Sequence, residues 1–287
     1  MLTRIISGAV GVVILAVVLF FHDTIVLPIA VAAMIAVMLY ELLRAVKLEK
    51  CMPVLCIAEL CGISMPFIYS FFYQSGFYDN FTDWETIDGR VPVIAFAVTV
   101  LCVFAVLAVW LKKHKEIRYE QIFFALAVMV LVPQAMSCIV RIDRMSEKGG
   151  LIMLILGLCG AWIADTGAYF TGVAFGKHKL CPEISPKKTI EGFIGGIVTT
   201  GIVFAVVVSV VAGSFDIAKA LIAFLLGAVC AVIGTIGDLS ASMVKRQIGF
   251  KDYGKIMPGH GGLMDRFDSV LFVLPTFYAF CTITDLF

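Results

Sequence analysis

Long apolar runs broken by short polar segments recur from one end of the chain to the other. Runs of about 17 to 25 residues, the length a helix needs to cross a bilayer, lie at 5–21, 25–46, 52–73, 91–111, 121–140, 151–175, 192–211, 217–236 and 267–283. The pattern predicts an all-α, polytopic integral membrane protein with about nine transmembrane helices. Basic residues set its direction. With a cytoplasmic N-terminus, only Arg90, Arg141, Arg144, Lys148 and Lys219 of the 22 basic residues fall outside, the asymmetry expected of positive-inside topology. The chain is then N-in and C-out in the cell membrane, multi-pass, with its charged motif loops facing the cytoplasm.

Composition agrees with this reading. Of 287 residues, 61% are apolar and 15% charged, and the mean hydropathy is +1.02, which excludes a soluble globule. No basic face with interleaved aromatics stands outside the motif loops, so nucleic acid is not an expected partner. The nine cysteines include no C-x-x-C pair and read as small buried hydrophobes. The first run, after Arg4, resembles a signal peptide but lacks a small-residue cleavage site, so it reads as a span. Residues 1–150 read as scaffold helices, with Glu59 as their one intramembrane acid, and residues 151–287 carry the polar chemistry; the two form one continuous membrane domain.

Within 151–175, Asp165 interrupts an apolar helix, with Tyr169 and Gly172 on the same face. An acid there is costly and should face a polar cavity or a metal. The following loop reads F-G-K-H-K-L-C-P-E-I-S-P-K-K-T-I-E-G. Its glycine spacing does not match a phosphate-binding P-loop, and His178 stands where a hydroxyl should hold magnesium. Ser185-Pro186 suits an N-cap and first helical position, which predicts Lys187, Lys188 and Thr189 in the first turn of the seventh helix. Lysines beside a positive dipole end call for a bound anion, and a phosphate chain fits.

If the eighth helix continues past residue 236, Asp238, Ser242 and Lys245 align on one face, with Arg246 beside them. The chain then runs through Lys251, Pro258-Gly259-His260-Gly261-Gly262 and Asp265-Arg266-Phe267-Asp268. Glycines around His260 let backbone amides approach an anion. Asp265 and Asp268, at i and i+3, can share a helix face, an arrangement suited to magnesium, which takes one or two carboxylates together with phosphate oxygens.

Taken together, S-x-x-K-R-x-x-x-x-K-D-x-G-x-x-x-P-G-H-G-G-x-x-D-R-x-D, from Ser242 to Asp268, resembles the signature of the phosphatidate cytidylyltransferases, or CDP-diglyceride synthases. Asp165 with Ala168-Tyr169, the S-P-K-K-T-x-E-G block and the G-D-L-x-x-S block resemble that family in order and spacing. Met257 is a conservative departure from the expected Leu, Ile or Phe. The resemblance implies that CTP and phosphatidic acid give CDP-diacylglycerol and pyrophosphate, with Mg2+ required and room for a second cation such as K+. It also implies a homodimer.

On the matching positions, Asp238 and Asp265 would hold the metal, with Asp165 and Asp268 as further candidates. Lys245 and His260 would join the two carboxylates as catalytic residues. Lys187, Lys188, Thr189, Ser242, Arg246, Lys251 and Arg266 would bind substrate phosphates. Two other readings stay open on the residues alone: a CTP-dependent lipid kinase, which would release CDP, and an ion-coupled transporter, for which no paired repeats are seen.

Overall fold

The computed structural model describes residues 2–74, 84–146, 149–213, 216–259 and 261–284. Among them, seven helices are long and apolar enough to cross a membrane, and two shorter apolar helices, Ile6–Phe20 and Val270–Ile283, accompany these seven. The chain is a helical polytopic membrane protein, with one two-stranded hairpin among the described residues. It divides into two compact units, residues 1–144 with 252–265, and residues 145–251 with 266–287.

The first unit holds α1 (Leu2–Phe20), α2 (Val26–Ala45), α3 (Met52–Gln74), α4 (Trp84–Lys112) and α5 (Tyr119–Asp143). Its core begins with α2, where Ile35, Met38, Leu39 and Leu42 recur at helical spacing and are almost fully buried. Helix α2 packs against α3 and α5, where Met65 of α3 and Ile122, Met129 and Met136 of α5 are likewise buried. Gly62 lets α3 approach closely, since a Cβ there would lie 2.6 Å from Leu39 Cδ1 and 2.7 Å from Ile35 Cγ2. On α4 a single stripe, Ala95, Thr99, Cys102 and Val106, is buried, while Phe96, Leu101 and Phe104 are exposed. In a bilayer such a face contacts lipid tails at no hydrophobic cost.

The second unit holds α6 (Gly150–Phe175), a hairpin of β1 (Lys179–Cys181) and β2 (Ser185–Thr189), α7 (Ile190–Val211), α8 (Ile217–Ile248) and α10 (Val270–Ile283). The short α9 (Met264–Phe267) lies where the chain passes from one unit to the other. Close packing of α6, α7 and α8 rests on small residues. A Cβ on Gly196 would sit 2.7 Å from the Ala164 carbonyl oxygen, and one on Gly227 would sit 2.7 Å from that of Thr200. Deeper in the unit, Phe204 and Phe277 meet edge to face at 6.0 Å and are both fully buried. An Asp216 side chain accepting from the Ala218 amide starts α8, and left-handed Gly249 ends it after Lys245 and Arg246.

Candidate active site

The second unit brings three acids and two lysines of the predicted set together. Because α8 runs unbroken to Ile248, Asp238, Ser242 and Lys245 do share one face. Lys188 Nζ lies 2.5 Å from Asp238 Oδ2, and Lys245 Nζ lies 4.0 Å from Asp268 Oδ2. The charges acting on the Asp165 carboxylate are those of Lys188 and Asp238. Asp268 is only 6% exposed, and its Oδ1 accepts the Ser269 amide at 2.9 Å. The Asp238 carboxylate, the Lys245 ammonium and, more weakly, the Asp165 carboxylate all act on the Asp268 side chain.

Three carboxylates against two lysines leave the cluster short of positive charge when all are ionised. A hard cation with oxygen ligands makes up such a deficit, and this donor set, all carboxylate with a hydroxyl one turn away, fits magnesium better than a softer metal.

Lys188 reaches Asp238 by a route the sequence reading did not foresee. Ser185 and Pro186 do not cap α7. They lie with Lys187, Lys188 and Thr189 on β2, which pairs antiparallel with β1 through Lys179 opposite Thr189 and Cys181 opposite Ser185. Thr189 is the N-cap, its hydroxyl accepting from the Gly192 amide at 3.2 Å. The lysines therefore precede the helix, and the argument from lysines in a positive dipole end does not hold. What holds the hairpin base is Glu191, whose carboxylate accepts from the amides of Lys177 and His178 and lies 2.7 Å from His178 Nδ1.

Asp265 and Asp268 do not share a helix face as expected, because α9 ends at Phe267 and α10 begins at Val270. Asp265 belongs to the first unit, where its Oδ2 accepts the amides of Tyr253 at 2.8 Å and Gly262 at 2.9 Å. The same segment closes on itself through paired backbone bonds between Met257 and Gly261. That turn requires Gly259 at φ 78° and Gly261 at φ 90°. His260 lies outside the described residues. Lys187, Arg246, Lys251 and Arg266 are exposed, and Ser242 is half-buried.

Two polar groups escaped the sequence reading. Glu41 also lies within a predicted span, so Glu59 is not alone among the scaffold acids. Glu41 is 2% exposed, and its Oε1 and Oε2 accept the Leu263 and Met264 amides at 3.1 and 2.9 Å. Its signal was simply an acid inside an apolar run. At the far ends of α1 and α5, His22 Nδ1 lies 2.8 Å from Asp143 Oδ1 and 3.3 Å from Asp23 Oδ1. Arg144 stands 3.7 Å from Asp143 Oδ2, which makes this group a charge network.

Comparison with known proteins gives a consistent result. The model of the cytidylyltransferase family matches residues 2–284. The chain is similar to the phosphatidate cytidylyltransferase of Bacillus subtilis, at 34% identity over 87% of this chain and 86% of the relative. It is also similar to enzymes of that name from Staphylococcus saprophyticus, at 47% identity over 45% of this chain and 49% of the relative, and from Staphylococcus aureus, at 46% over the same shares.

Proposed function

The chain belongs to the cytidylyltransferase family, and from that premise we propose that it is a phosphatidate cytidylyltransferase. It transfers the CMP moiety of CTP to phosphatidic acid, giving CDP-diacylglycerol and pyrophosphate. The observation that carries the reading is a relative of that name matched over 87% of the chain. The carboxylate and lysine cluster of the second unit is chemistry suited to it.

In this reaction a phosphate oxygen of the lipid attacks the α-phosphorus of CTP while the bond to the bridging oxygen of pyrophosphate breaks in line. Both reactants are anions, so the protein must first bring like charges together. In this reading Lys188 and Lys245 exchange their carboxylate partners for phosphate oxygens, and exposed Lys187, Arg246, Lys251 and Arg266 enlarge the positive field. Lipid phosphate is already largely ionised near neutral pH, so no strong base is needed at His260. On the family resemblance Asp238 and Asp265, with Asp165 and Asp268 as further candidates, are the residues that would hold magnesium, and the further carboxylates leave room for a monovalent cation such as K+. Magnesium, when bound, offsets the charge that develops on the transferring and leaving phosphates. Asp265 also ties its loop, its Oδ2 accepting the Tyr253 and Gly262 amides.

The cytoplasmic orientation of the site rests on the distribution of basic residues. The homodimer rests on the resemblance alone, and crosslinking in native membranes tests it.

The direct test uses the purified protein in detergent with dioleoyl phosphatidate and α-labelled CTP, with and without magnesium. Magnesium-dependent transfer of label to the lipid with release of pyrophosphate is the expected result. Free CDP with a newly phosphorylated lipid would identify a kinase, and no turnover with any lipid would overturn the assignment.

A further inference from the structure

Glu41 occupies a position that packing alone does not explain. A carboxylate almost wholly buried in an apolar helix is costly unless its oxygens find donors. Here both oxygens do, on successive amides at the start of α9. Helix starts leave such amides without intrahelical partners, so Glu41 serves as a cap reaching across from α2.

The segment it holds is built around it. A Cβ on Gly262 would lie 2.6 Å from each Glu41 oxygen, and one on Gly254 would run into the Glu41 carboxylate. Only glycine at both places admits the acid. Within the segment, Asp265 Oδ2 takes the Tyr253 and Gly262 amides, so two carboxylates grip one loop through four amides. Helix α1 adds a further tie, with Ser7 Oγ donating to the Pro258 carbonyl at 3.0 Å.

We propose that Glu41 is a positioning residue for the transfer reaction: its carboxylate, through the Leu263 and Met264 amides, sets the placement of segment 252–265, and with it Asp265 and the glycine turn at 257–261. The inference rests on the cytidylyltransferase reading, because it assigns that segment a part in aligning the reactants. Residues 1–144 thereby contribute a functional acid as well as span packing. Losing the grip leaves the loop's residues present but misplaced, and misplacement by about 1 Å costs on the order of 10²-fold in a reaction that depends on alignment.

The test is Glu41→Gln in the full chain, purified in detergent, with kcat and both KM values measured per folded molecule beside the thermal midpoint. An amide side chain keeps the size but only one accepting oxygen, so the expected result is a fall in kcat of about ten-fold or more, within that alignment range. The phosphatidate KM should stay within about two-fold, and amide exchange at Leu263 and Met264 should speed up while that of the α2 and α5 core does not. If the variant does not fold, Gly254→Ala attacks the same contact from the loop side and should show the same fall in kcat. Wild-type kcat per folded molecule in either variant would overturn the proposal, as would a loss confined to the phosphatidate KM, which would make Glu41 a lipid contact. Absence of transfer by the unaltered protein would instead bring down the cytidylyltransferase reading itself.

Discussion

Acids do opposite work in the two units. In the second, Asp238 and one oxygen of Asp268 face lysine side chains, partners that can turn away to phosphates and leave those oxygens to a cation, while the other Asp268 oxygen takes the Ser269 amide. In the first, Glu41 and Asp265 face backbone amides, partners that cannot leave without unmaking the loop. An acid opposite a flexible cation can exchange its partner outright, whereas an acid opposite main-chain amides holds its loop and offers a cation only the oxygen that the amides leave. Residue type and sequence spacing look alike in both places; the partner distinguishes them.

The largest effect that this contrast predicts is at the lysine-facing acids. Asp238→Asn and Asp268→Asn should each lower turnover by at least about 10²-fold, the scale of losing a main electrostatic contributor in a water-poor site. They should also shift the magnesium dependence to higher concentration. Turnover and magnesium response like those of the unaltered protein in either variant would remove that acid from the cation site.

Asp265→Asn sharpens the comparison. An amide oxygen can still accept both the Tyr253 and Gly262 amides, so the loop should survive, while turnover should fall and the magnesium dependence shift as far as for Asp238→Asn. A magnesium response like that of the unaltered protein would remove Asp265 from the metal and leave it the loop alone.

A smaller effect is expected from Lys188→Ala. Losing one phosphate-facing cation should raise the apparent CTP or phosphatidate KM by about ten-fold, in line with about 1.5 kcal/mol for a charge-assisted hydrogen bond. Lys113→Ala removes an exposed lysine paired with Glu116 at 3.3 Å and should change little. Equal effects from the two would mean that charge in general, and not its placement at Asp238, supports binding.

Much of the fold was legible because apolar length is a strong signal. The run at 151–175 became α6 at Gly150–Phe175, and the run at 25–46 became α2 at Val26–Ala45. Local geometry at the polar joints was not legible. Strands of three and five residues carry no periodic pattern, and Ser185-Pro186 has the chemistry of a helix start as well as that of a strand edge. Asp265 and Asp268 looked equivalent because the reading assumed one helix through both, whereas the break at Asp268 and Ser269 turns them to different partners. Asp238 and Lys245 were recoverable because they depend only on a helix continuing. Glu41 was hidden because its partners lie more than 200 residues away, a separation that no local pattern encodes.

The smallest effect concerns how Lys188 is presented. If β2 carries the lysine and Thr189 starts α7, then Thr189→Ala removes the oxygen that takes the Gly192 amide and should cost about 1 kcal/mol of stability. Ser185→Ala, on the far end of the hairpin, should cost only a few tenths, since Ser185 caps nothing. A modest rise in CTP KM should accompany the first change only, because the residue next to Lys188 loses its anchor. Thermal midpoints in detergent with parallel kinetics read both quantities. If Ser185→Ala were the more damaging of the two, the helix would start earlier than β2 allows, and Lys188 would sit in a first helical turn, where a dipole and not a neighbouring aspartate governs what it binds.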